Sequence, residues 1–263
     1  MLFVADVGNT ETTLGLFDGL RLRAQWRIMT ETPRTPDEYA LLVRGLLDGD
    51  GVHPTQLTGV AIGSVVPGVT TPLRDGVAKL TGARVMVIDA TSPLPIRLDV
   101  EEPRGVGADR VINTLAASRV YARDCIVVDL GTATTFDCIT ADGVFLGGVI
   151  APGVRTSAET LFRRTAKLSA TELEAPESVI GRRTEQAIRA GIVFGNADMI
   201  DGIVRRLKAA WPTSTEPYVV GTGGLAGVLQ PHCLSIEIVV PELTLVGLRL
   251  AWDHLTGPLG PVS

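Results

Sequence analysis

The chain contains the same short pattern twice, once near its start and once near its middle. The first copy, FVADVGNTETTLGLFD, includes Asp6 and Gly8, and the second, CIVVDLGTATTFDCIT, includes Asp129 and Gly131. In each copy an apolar, β-branched run ends in Asp-x-Gly, small hydroxyl or amide residues follow, and a second alternating segment begins. The pattern predicts two strands joined by a tight turn in each half of the chain.

Both turns have the residue types of a phosphate-binding loop. Glycine lets backbone N–H groups approach an anion, and threonine and asparagine side chains add further donors. The aspartate of each turn can hold a cation that neutralises phosphate charge. Asp and Asn are also ordinary hairpin residues, so a purely structural turn is the alternative for either copy alone. Two copies together favour a nucleotide whose polyphosphate is held by two lobes.

The predicted elements also occur in a repeated order. Three strands are followed by a helix, a strand, a helix and a strand, and the order then begins again. This arrangement resembles the actin, hexokinase and acetate-kinase superfamily. The resemblance implies an α/β fold of two homologous ribonuclease H-like lobes, with mixed sheets and a nucleotide cleft between the lobes. We expect an N-terminal lobe over residues 1–115 and a C-terminal lobe over residues 116–263.

The amino-acid composition limits the kinds of partner that the protein can bind. The 263 residues include 45% hydrophobic and 20% charged residues, and the formal net charge is −5, which predicts a globular protein without a basic surface for nucleic acid. No apolar run is long enough to cross a membrane, and the first residues predict a strand instead of a signal peptide. The three cysteines lack C-x-x-C spacing and the three histidines are isolated, so we expect a cytoplasmic protein without a zinc cluster.

Other nucleotide-binding signatures are absent or misleading. The chain has no G-x-x-x-x-G-K-[ST] and no protein-kinase pattern, which excludes those two classes. Gly221–Ala226 fits the dinucleotide pattern G-x-G-x-x-A, but only about 40 residues follow it, too few for the rest of that fold. We interpret it as a glycine-rich turn that contacts the adenosine part of the nucleotide or flexes when the cleft closes.

A third feature is Gly107-Ala108-Asp109-Arg110 at the start of a predicted helix. Asp109 fits a helix N-cap, which would be a structural role. It also fits the acceptor of a proton from a substrate hydroxyl that attacks the γ-phosphate of ATP. Arg110 would then neutralise a substrate carboxylate or the transferred phosphoryl group. The residues alone leave both interpretations open.

Five segments in a fixed order resemble type III pantothenate kinases. They are DVGNT, GADR, DLGTATT, GGVIAPG (Gly147–Gly153) and GTGG, and together they extend over essentially the whole chain. The resemblance implies that the protein uses ATP to phosphorylate pantothenate to 4'-phosphopantothenate, the first committed step of coenzyme A biosynthesis. It further implies Mg²⁺ bound with ATP, a monovalent cation (K⁺ or NH₄⁺) and a homodimer.

The same resemblance assigns roles to individual residues. Asp109 is the catalytic proton acceptor, Asp129 a ligand of the monovalent cation, and Asp6 a residue associated with Mg²⁺. Nucleotide-binding residues are Asp6, Val7, Gly8, Asn9, Thr10, Glu11, Thr12, Thr13 and Thr132. Substrate-binding residues are Gly107, Ala108, Asp109, Arg110 and Thr184, although Thr184 also fits a plain helix N-cap.

Three points stay open at the level of sequence. Many relatives have a substrate-contacting tyrosine where this chain has Val100, which we keep as a pocket residue. Small residues at Ala187, Gly191 and Gly195 on a long helix favour close packing, against either a neighbouring helix or a second subunit.

Alternative functions are a kinase of another small hydroxy acid or sugar, and a non-catalytic accessory protein on the same fold.

Overall fold

The computed structural model describes residues 1–31, 33–164 and 174–257. Its strands are β1 (Leu2–Val7), β2 (Glu11–Asp18), β3 (Arg21–Met29), β4 (Gly59–Ser64), β5 (Arg84–Ile88), β6 (Arg97–Leu98), β7 (Cys125–Leu130), β8 (Ala133–Ile139), β9 (Val144–Pro152), β10 (Tyr218–Thr222) and β11 (Ile238–Val239). Its α-helices are α1 (Pro36–Gly49), α2 (Pro67–Thr81), α3 (Ala108–Tyr121), α4 (Val154–Arg164), α5 (Thr184–Ala209), α6 (Ala226–Leu229) and α7 (Leu243–Thr256). These elements form two compact units.

Unit 1 contains Met1–Ala116 together with the segment that begins at Leu243, and unit 2 contains Ala117–Glu242. The predicted C-terminal lobe includes α7, but α7 belongs to unit 1. The reason is burial: Leu248 and Trp252 of α7 join the same buried cluster as Leu2 of β1. The aromatic ring of Trp252 lies so close to Gly59 that an added Cβ would come within 2.0 Å of it.

The sheet of unit 1 has the strand order β3-β2-β1-β4-β5. β1 pairs antiparallel with β2 and parallel with β4. Alternate side chains of β1 enter two cores, with Phe3, Ala5 and Val7 in one cluster and Leu2 and Val4 in the other. Helices α1 and α2 supply the first cluster, and α3 and α7 supply the second.

Local signals explain where the helices of unit 1 begin and end. α1 begins with a capping box in which Thr35 and Glu38 satisfy each other's backbone N–H groups, and Pro36 occupies its first position. α2 ends at Gly82, whose φ of 67° is the left-handed conformation that favours glycine at a helix end.

Unit 2 repeats the arrangement. Its five strands lie in the order β9-β8-β7-β10-β11, with β7 antiparallel to β8 and parallel to β10. The core of unit 2 lies between this sheet and α5, with Val128, Phe136 and Val193 among its fully buried residues. The same strand order and the same strand directions in both units confirm the predicted pair of homologous mixed-sheet lobes. The expected cleft between the lobes stays a prediction.

One predicted strand is much shorter than expected. The segment LSIEIVV predicts a strand over residues 234–240, but β11 contains only Ile238 and Val239. The backbone N–H groups of Leu234 and Ser235 donate instead to the carboxylate of Asp201, each at 2.9 Å, so they are not available to a β ladder.

Two negative findings apply to the residues that the structure describes. In those ranges no helix combines the length and the apolar character that a membrane span requires. The same ranges contain no group of three or more His, Cys, Asp and Glu side chains that could hold a metal ion.

Candidate active site

The first Asp-x-Gly turn connects β1 to β2. Asp6 is the next-to-last residue of β1, and its register partners are Thr13 of β2 and Gly63 of β4. The turn closes through a hydrogen bond in which the N–H of Gly8 donates to the carbonyl of Glu11 at 3.1 Å. A Cβ on Gly8 would lie 2.9 Å from that same carbonyl, so this position has no room for a side chain.

Only some of the predicted nucleotide-binding side chains can reach a ligand here. Val7 and Thr12 are 0% and 1% exposed, so they can offer a ligand no more than their backbone. The hydroxyl of Thr12 instead lies 2.8 Å from the hydroxyl of Thr30, the residue that follows β3. Asn9 is exposed, and the side chains that remain half-buried at the turn are Asp6, Thr10, Glu11 and Thr13.

Asp109 is the second residue of α3 and therefore not the N-cap that the structural interpretation required. Its Oδ1 accepts the backbone N–H of Arg110 at 2.8 Å. Burial raises the pKa of the Asp109 carboxyl, while that N–H and the guanidinium of Arg110 act in the opposite direction. Burial is the larger cause, so the carboxylate is a stronger proton acceptor than an exposed aspartate.

The packing of α3 places Asp109 at the same sheet edge as Asp6. A Cβ on Gly63, the register partner of Asp6, would come within 2.3 Å of Ile112 Cδ1, one helical turn after Asp109. A Cβ on Gly107 would lie 2.5 Å from Asp109 Oδ1, so the backbone of Gly107 lies directly against the carboxylate. Within unit 1, the carboxyl ends of β1 and β4 and the start of α3 therefore meet.

The other substrate-site predictions in unit 1 differ in exposure. Ala108 is 4% exposed and belongs to the core that α3 and α7 share, so only its backbone can contact a ligand. Arg110 is half-buried. Val100 is also half-buried and lies between β6 and the short 3₁₀ turn Pro103–Gly105.

The second Asp-x-Gly turn connects β7 to β8 in unit 2. The N–H of Gly131 donates to the carbonyl of Ala133 at 3.1 Å, and Thr132 at the turn is exposed. The start of α4 lies against this turn: a Cβ on Gly153 would be 2.3 Å from the carbonyl oxygen of Thr132, and the hydroxyl of Thr156 donates to that oxygen at 2.7 Å.

The glycine-rich segment after β10 lies against Asp129. Gly223 has a φ of 88°, and a Cβ there would come within 2.6 Å of Asp129 Oδ1 and 2.7 Å of the backbone nitrogen of Leu130. The parallel pairing of β10 with β7 places Thr222 beside Asp129, so both side chains leave the sheet on the same face. The hydroxyl of Thr222 is buried and has no hydrogen-bond partner among the described residues.

Thr184 is the first residue of α5 and is exposed. The N-cap of α5 is Arg183, which makes no side-chain capping bond, so the structure does not support the plain N-cap interpretation of Thr184. Further along α5, a Cβ on Gly191 or Gly195 would meet nothing within 4 Å, so the surroundings of both residues are open.

Three residues that support the turns are not among the predicted site residues. Thr30, Gly153 and Thr156 lie outside the two repeated phrases and contact the turns only because the third strand of each sheet returns beside them. Aligning the two halves strand by strand would have placed Thr30 and Gly153 at equivalent positions, one residue after β3 and after β9.

Two solved structures resemble the fold. A crystal structure of ROK hexokinase from Thermus thermophilus matches with a TM-score of 0.51 and 16% identity, covering 97% of this chain and 99% of that one. Component A of (R)-2-hydroxyglutaryl-CoA dehydratase from Acidaminococcus fermentans matches with a TM-score of 0.55 and 17% identity, covering 95% and 96%. The repeated strand order and the paired turns thus define a protein of the actin and hexokinase fold class.

Sequence comparison narrows this class to a family. A family model described as type III pantothenate kinase matches residues 2–206. A type III pantothenate kinase from Roseiflexus sp. (strain RS-1) is 43% identical over 253 residues, which covers 96% of this chain and 98% of the relative. The chain belongs to the type III pantothenate kinase family.

Proposed function

We propose that the protein transfers the γ-phosphoryl group of ATP to the primary hydroxyl of pantothenate. The product is 4'-phosphopantothenate, which makes this the first step of coenzyme A biosynthesis. The observation that carries the proposal is the position of Asp109, a half-buried carboxylate with a raised pKa at the sheet edge that also carries Asp6. A phosphoryl transfer to an alcohol needs such an acceptor close to a phosphate-binding turn.

In the proposed reaction, the bond that forms is matched by a bond that breaks, and the released proton has an acceptor. The hydroxyl oxygen of pantothenate forms a bond to the γ-phosphorus, and the bond from that phosphorus to the β-bridging oxygen breaks to release ADP. The hydroxyl proton passes to Asp109 and from there to solvent. Because the alcohol loses its proton late in a loose transition state, a moderately basic carboxylate is sufficient. Most of the catalytic effect then comes from positioning and from charge stabilisation.

We assign phosphate binding to the two turns. Backbone N–H groups and the accessible side chains of Asp6, Asn9 and Thr10 would contact the phosphates from the first turn, and Thr132 from the second. Val7 and Thr12 are buried, so they would act through the backbone or through packing. Mg²⁺ would accompany ATP, with Asp6 as the carboxylate nearest to it, and would neutralise charge on the β- and γ-phosphates.

We assign the monovalent cation to Asp129. The surroundings of this carboxylate fit a cation that takes oxygen ligands: Gly223 leaves free the space that a Cβ would fill, and the buried hydroxyl of Thr222 has no partner among the described residues. Bound there, K⁺ or NH₄⁺ would supply positive charge that offsets the phosphates. The identity of the ion is a proposal that an assay with K⁺, NH₄⁺ and Na⁺ resolves.

Pantothenate recognition is proposed for Gly107–Arg110, Thr184 and Val100. The planar guanidinium of Arg110 suits a bidentate contact with the pantothenate carboxylate. Val100 offers no hydroxyl and no aromatic face, so we expect Val100→Tyr to lower the KM for pantothenate and to leave the KM for ATP unchanged.

We also propose a homodimer. The open surroundings of Gly191 and Gly195 on α5 allow a second helix to approach closely. Light scattering at micromolar concentration checks this, and a monomer contradicts it. The cytoplasmic location expected from the sequence remains a prediction that follows from a role in coenzyme A biosynthesis.

The experiment for the function is a product assay. Purified protein is incubated with ATP, Mg²⁺ and K⁺ and with a panel of alcohols that contains pantothenate, other hydroxy acids and sugars. We expect ADP release that depends on pantothenate and on K⁺, with 4'-phosphopantothenate identified by mass spectrometry. Faster turnover of another hydroxy acid or sugar would identify that compound, instead of pantothenate, as the substrate. If none of the alcohols supported ATP turnover, the accessory-protein alternative would be favoured.

A further inference from the structure

We infer that Thr30 and Thr156 are positioning residues that hold the two Asp-x-Gly turns in the conformation that binds phosphate. The inference rests on the proposal that both turns bind ATP. Neither threonine lies in the repeated phrases. Thr30 follows β3, and Thr156 lies in the first turn of α4, which follows β9.

Thr30 contacts the first turn twice. Its backbone N–H donates to the carbonyl of Thr10 at 2.9 Å, and its hydroxyl lies 2.8 Å from the hydroxyl of Thr12. Thr12 is 1% exposed, so water does not replace this contact when it is lost. The first turn is therefore joined to the end of β3 by one backbone bond and one shielded side-chain bond.

Thr156 makes the corresponding contact with the second turn from a different place in the sequence. The pairing of β8 with β9 continues to Gly153 opposite Thr132, just as the pairing of β2 with β3 continues to Thr30 opposite Thr10. Gly153 has no hydroxyl, and a Cβ there would lie 2.3 Å from the carbonyl oxygen of Thr132. The hydroxyl that reaches this carbonyl, at 2.7 Å, comes from Thr156.

These bonds matter because a trans peptide points its C=O and the following N–H in opposite directions. Holding the carbonyl of Thr10 fixes the N–H of Glu11 on the side away from Thr30. Holding the carbonyl of Thr132 likewise fixes the N–H of Ala133 on the side away from Thr156. A turn binds an anion only when its N–H groups face it, and a rotated peptide would present a partially negative oxygen instead.

The experiment compares valine and serine substitutions at position 156. Thr156→Val keeps the shape and removes the donor, whereas Thr156→Ser keeps the donor. A non-hydrolysable ATP analogue with Mg²⁺ and K⁺ is titrated calorimetrically into each variant. We expect the analogue to bind about fivefold to tenfold more weakly to Thr156→Val and within about twofold of wild type to Thr156→Ser. In turnover assays the KM for ATP rises in Thr156→Val, while kcat and the KM for pantothenate stay near wild type.

Position 30 supplies an independent test. Thr30→Val keeps the backbone bond to Thr10 but leaves the buried hydroxyl of Thr12 without its partner, so one bond instead of two joins the turn to the end of β3. Both the melting temperature and the affinity for the analogue should fall. The double variant Thr12→Val/Thr30→Val removes both hydroxyls, so it should recover the melting temperature but not the affinity. Recovery of both would show a stability effect only and would remove Thr30 from the positioning role.

The outcomes separate this inference from the proposed function. Wild-type affinity in a folded Thr156→Val variant overturns the inference, and so does an equal loss in the valine and serine variants. A wild-type protein that binds the analogue but makes no 4'-phosphopantothenate overturns the proposed substrate and leaves the binding comparison valid. A wild-type protein that does not bind the analogue overturns both.

Discussion

The two Asp-x-Gly turns share the same backbone hydrogen-bonding pattern but pack against different residues. In both, the aspartate is the next-to-last residue of the first strand, and the glycine N–H donates at 3.1 Å to the carbonyl of the first residue of the next strand. The first turn has one more residue, with Gly8 bonded to Glu11 three positions on, whereas Gly131 bonds to Ala133 two positions on. The shared hydrogen-bonding pattern follows from the repeated strand order, and the two turns also differ in the residues that pack against them.

The two turns lie in different surroundings. The first turn lies at the sheet edge where α3 places Asp109, the proposed proton acceptor. The second turn is flanked by the backbones of Gly153 and Gly223, and Gly223 lies against the Asp129 carboxylate. We therefore expect substitutions around the first turn to affect chemistry and nucleotide affinity, and substitutions around Asp129 to affect the cation.

The largest effect is expected from Asp109→Asn. Removing the proposed proton acceptor should lower kcat by about 10²–10⁴-fold and leave the affinity for an ATP analogue near wild type. The asparagine variant should keep the wild-type fold. Because burial raises the pKa of Asp109, the folded protein binds its proton more tightly than the unfolded chain, so ionisation above that pKa costs stability. The melting temperature of the asparagine variant at neutral pH should equal or exceed that of wild type.

The pH profile provides the control for this prediction. For wild type, kcat/KM should fall as the pH drops through the raised pKa of Asp109, because the protonated carboxyl accepts no proton. The residual activity of Asp109→Asn should lack this acidic limb. An unchanged limb in the variant, or near-normal turnover by a folded variant, would assign the proton acceptor to another group.

A smaller effect, confined to the second turn, is expected from Asp129→Asn. Loss of the carboxylate should lower kcat/KM by about 10- to 100-fold and raise the K⁺ concentration for half-maximal activity, because oxygen ligands with full negative charge hold cations best. Asp6→Asn is the matched comparison in the first turn and should change the Mg²⁺ dependence instead. Equal changes in K⁺ dependence in both variants would contradict the specialisation of the turns.

Gly223→Ala should reproduce part of the Asp129 effect. The new methyl group would come within 2.6 Å of the Asp129 carboxylate at a backbone φ of 88°, so the carboxylate or the loop must move. We expect about a tenfold rise in the K⁺ concentration for half-maximal activity, measured by titration with KCl at constant ionic strength. Gly227→Ala is the control, since a Cβ there meets nothing within 4 Å. Similar behaviour of the two variants would mean that Gly223 does not shape the cation site.

The smallest effects are expected from alanine at the turn glycines themselves. A Cβ on Gly8 would lie 2.9 Å from the backbone oxygen of Glu11, whereas the nearest atom to a Cβ on Gly131 is 3.7 Å away. Gly8→Ala should therefore raise the KM for ATP by about fivefold, and Gly131→Ala by less than twofold. A reversed order of the two KM values would show that packing at the glycine does not set the tolerance of the turns.

The sequence was sufficient for the fold class and the family, and both predictions are confirmed. The β-branched runs located the strands along the chain, and β1 has the predicted bounds Leu2–Val7. Long-range packing was not predictable. Nothing local indicates that α7 joins unit 1, because its apolar face would suit either sheet. Asp201 shortens the strand over residues 234–240 through contacts with a distant segment.

In the candidate site, too, the residue types were predictable from the sequence and the long-range contacts were not. Asp6, Asp129 and the two turn glycines were visible in the repeated phrases, and Asp109 was visible in the separate segment Gly107–Arg110. Thr30, Thr156 and the contact between Gly223 and Asp129 depend on how strands return beside the turns, which the spacing in the sequence does not give. The burial of Thr12 also needed the structure, since an exposed threonine and a buried one look identical in a turn motif.

Hydrogen–deuterium exchange of the wild-type protein, with and without a non-hydrolysable ATP analogue and Mg²⁺, tests the central claim most directly. If the backbone N–H groups of both turns bind the phosphates, the analogue should slow exchange in residues 8–11 and in residues 131–133 together, with the same dependence on analogue concentration. Slowing in one turn only, or in neither at a concentration that saturates binding, would contradict the account.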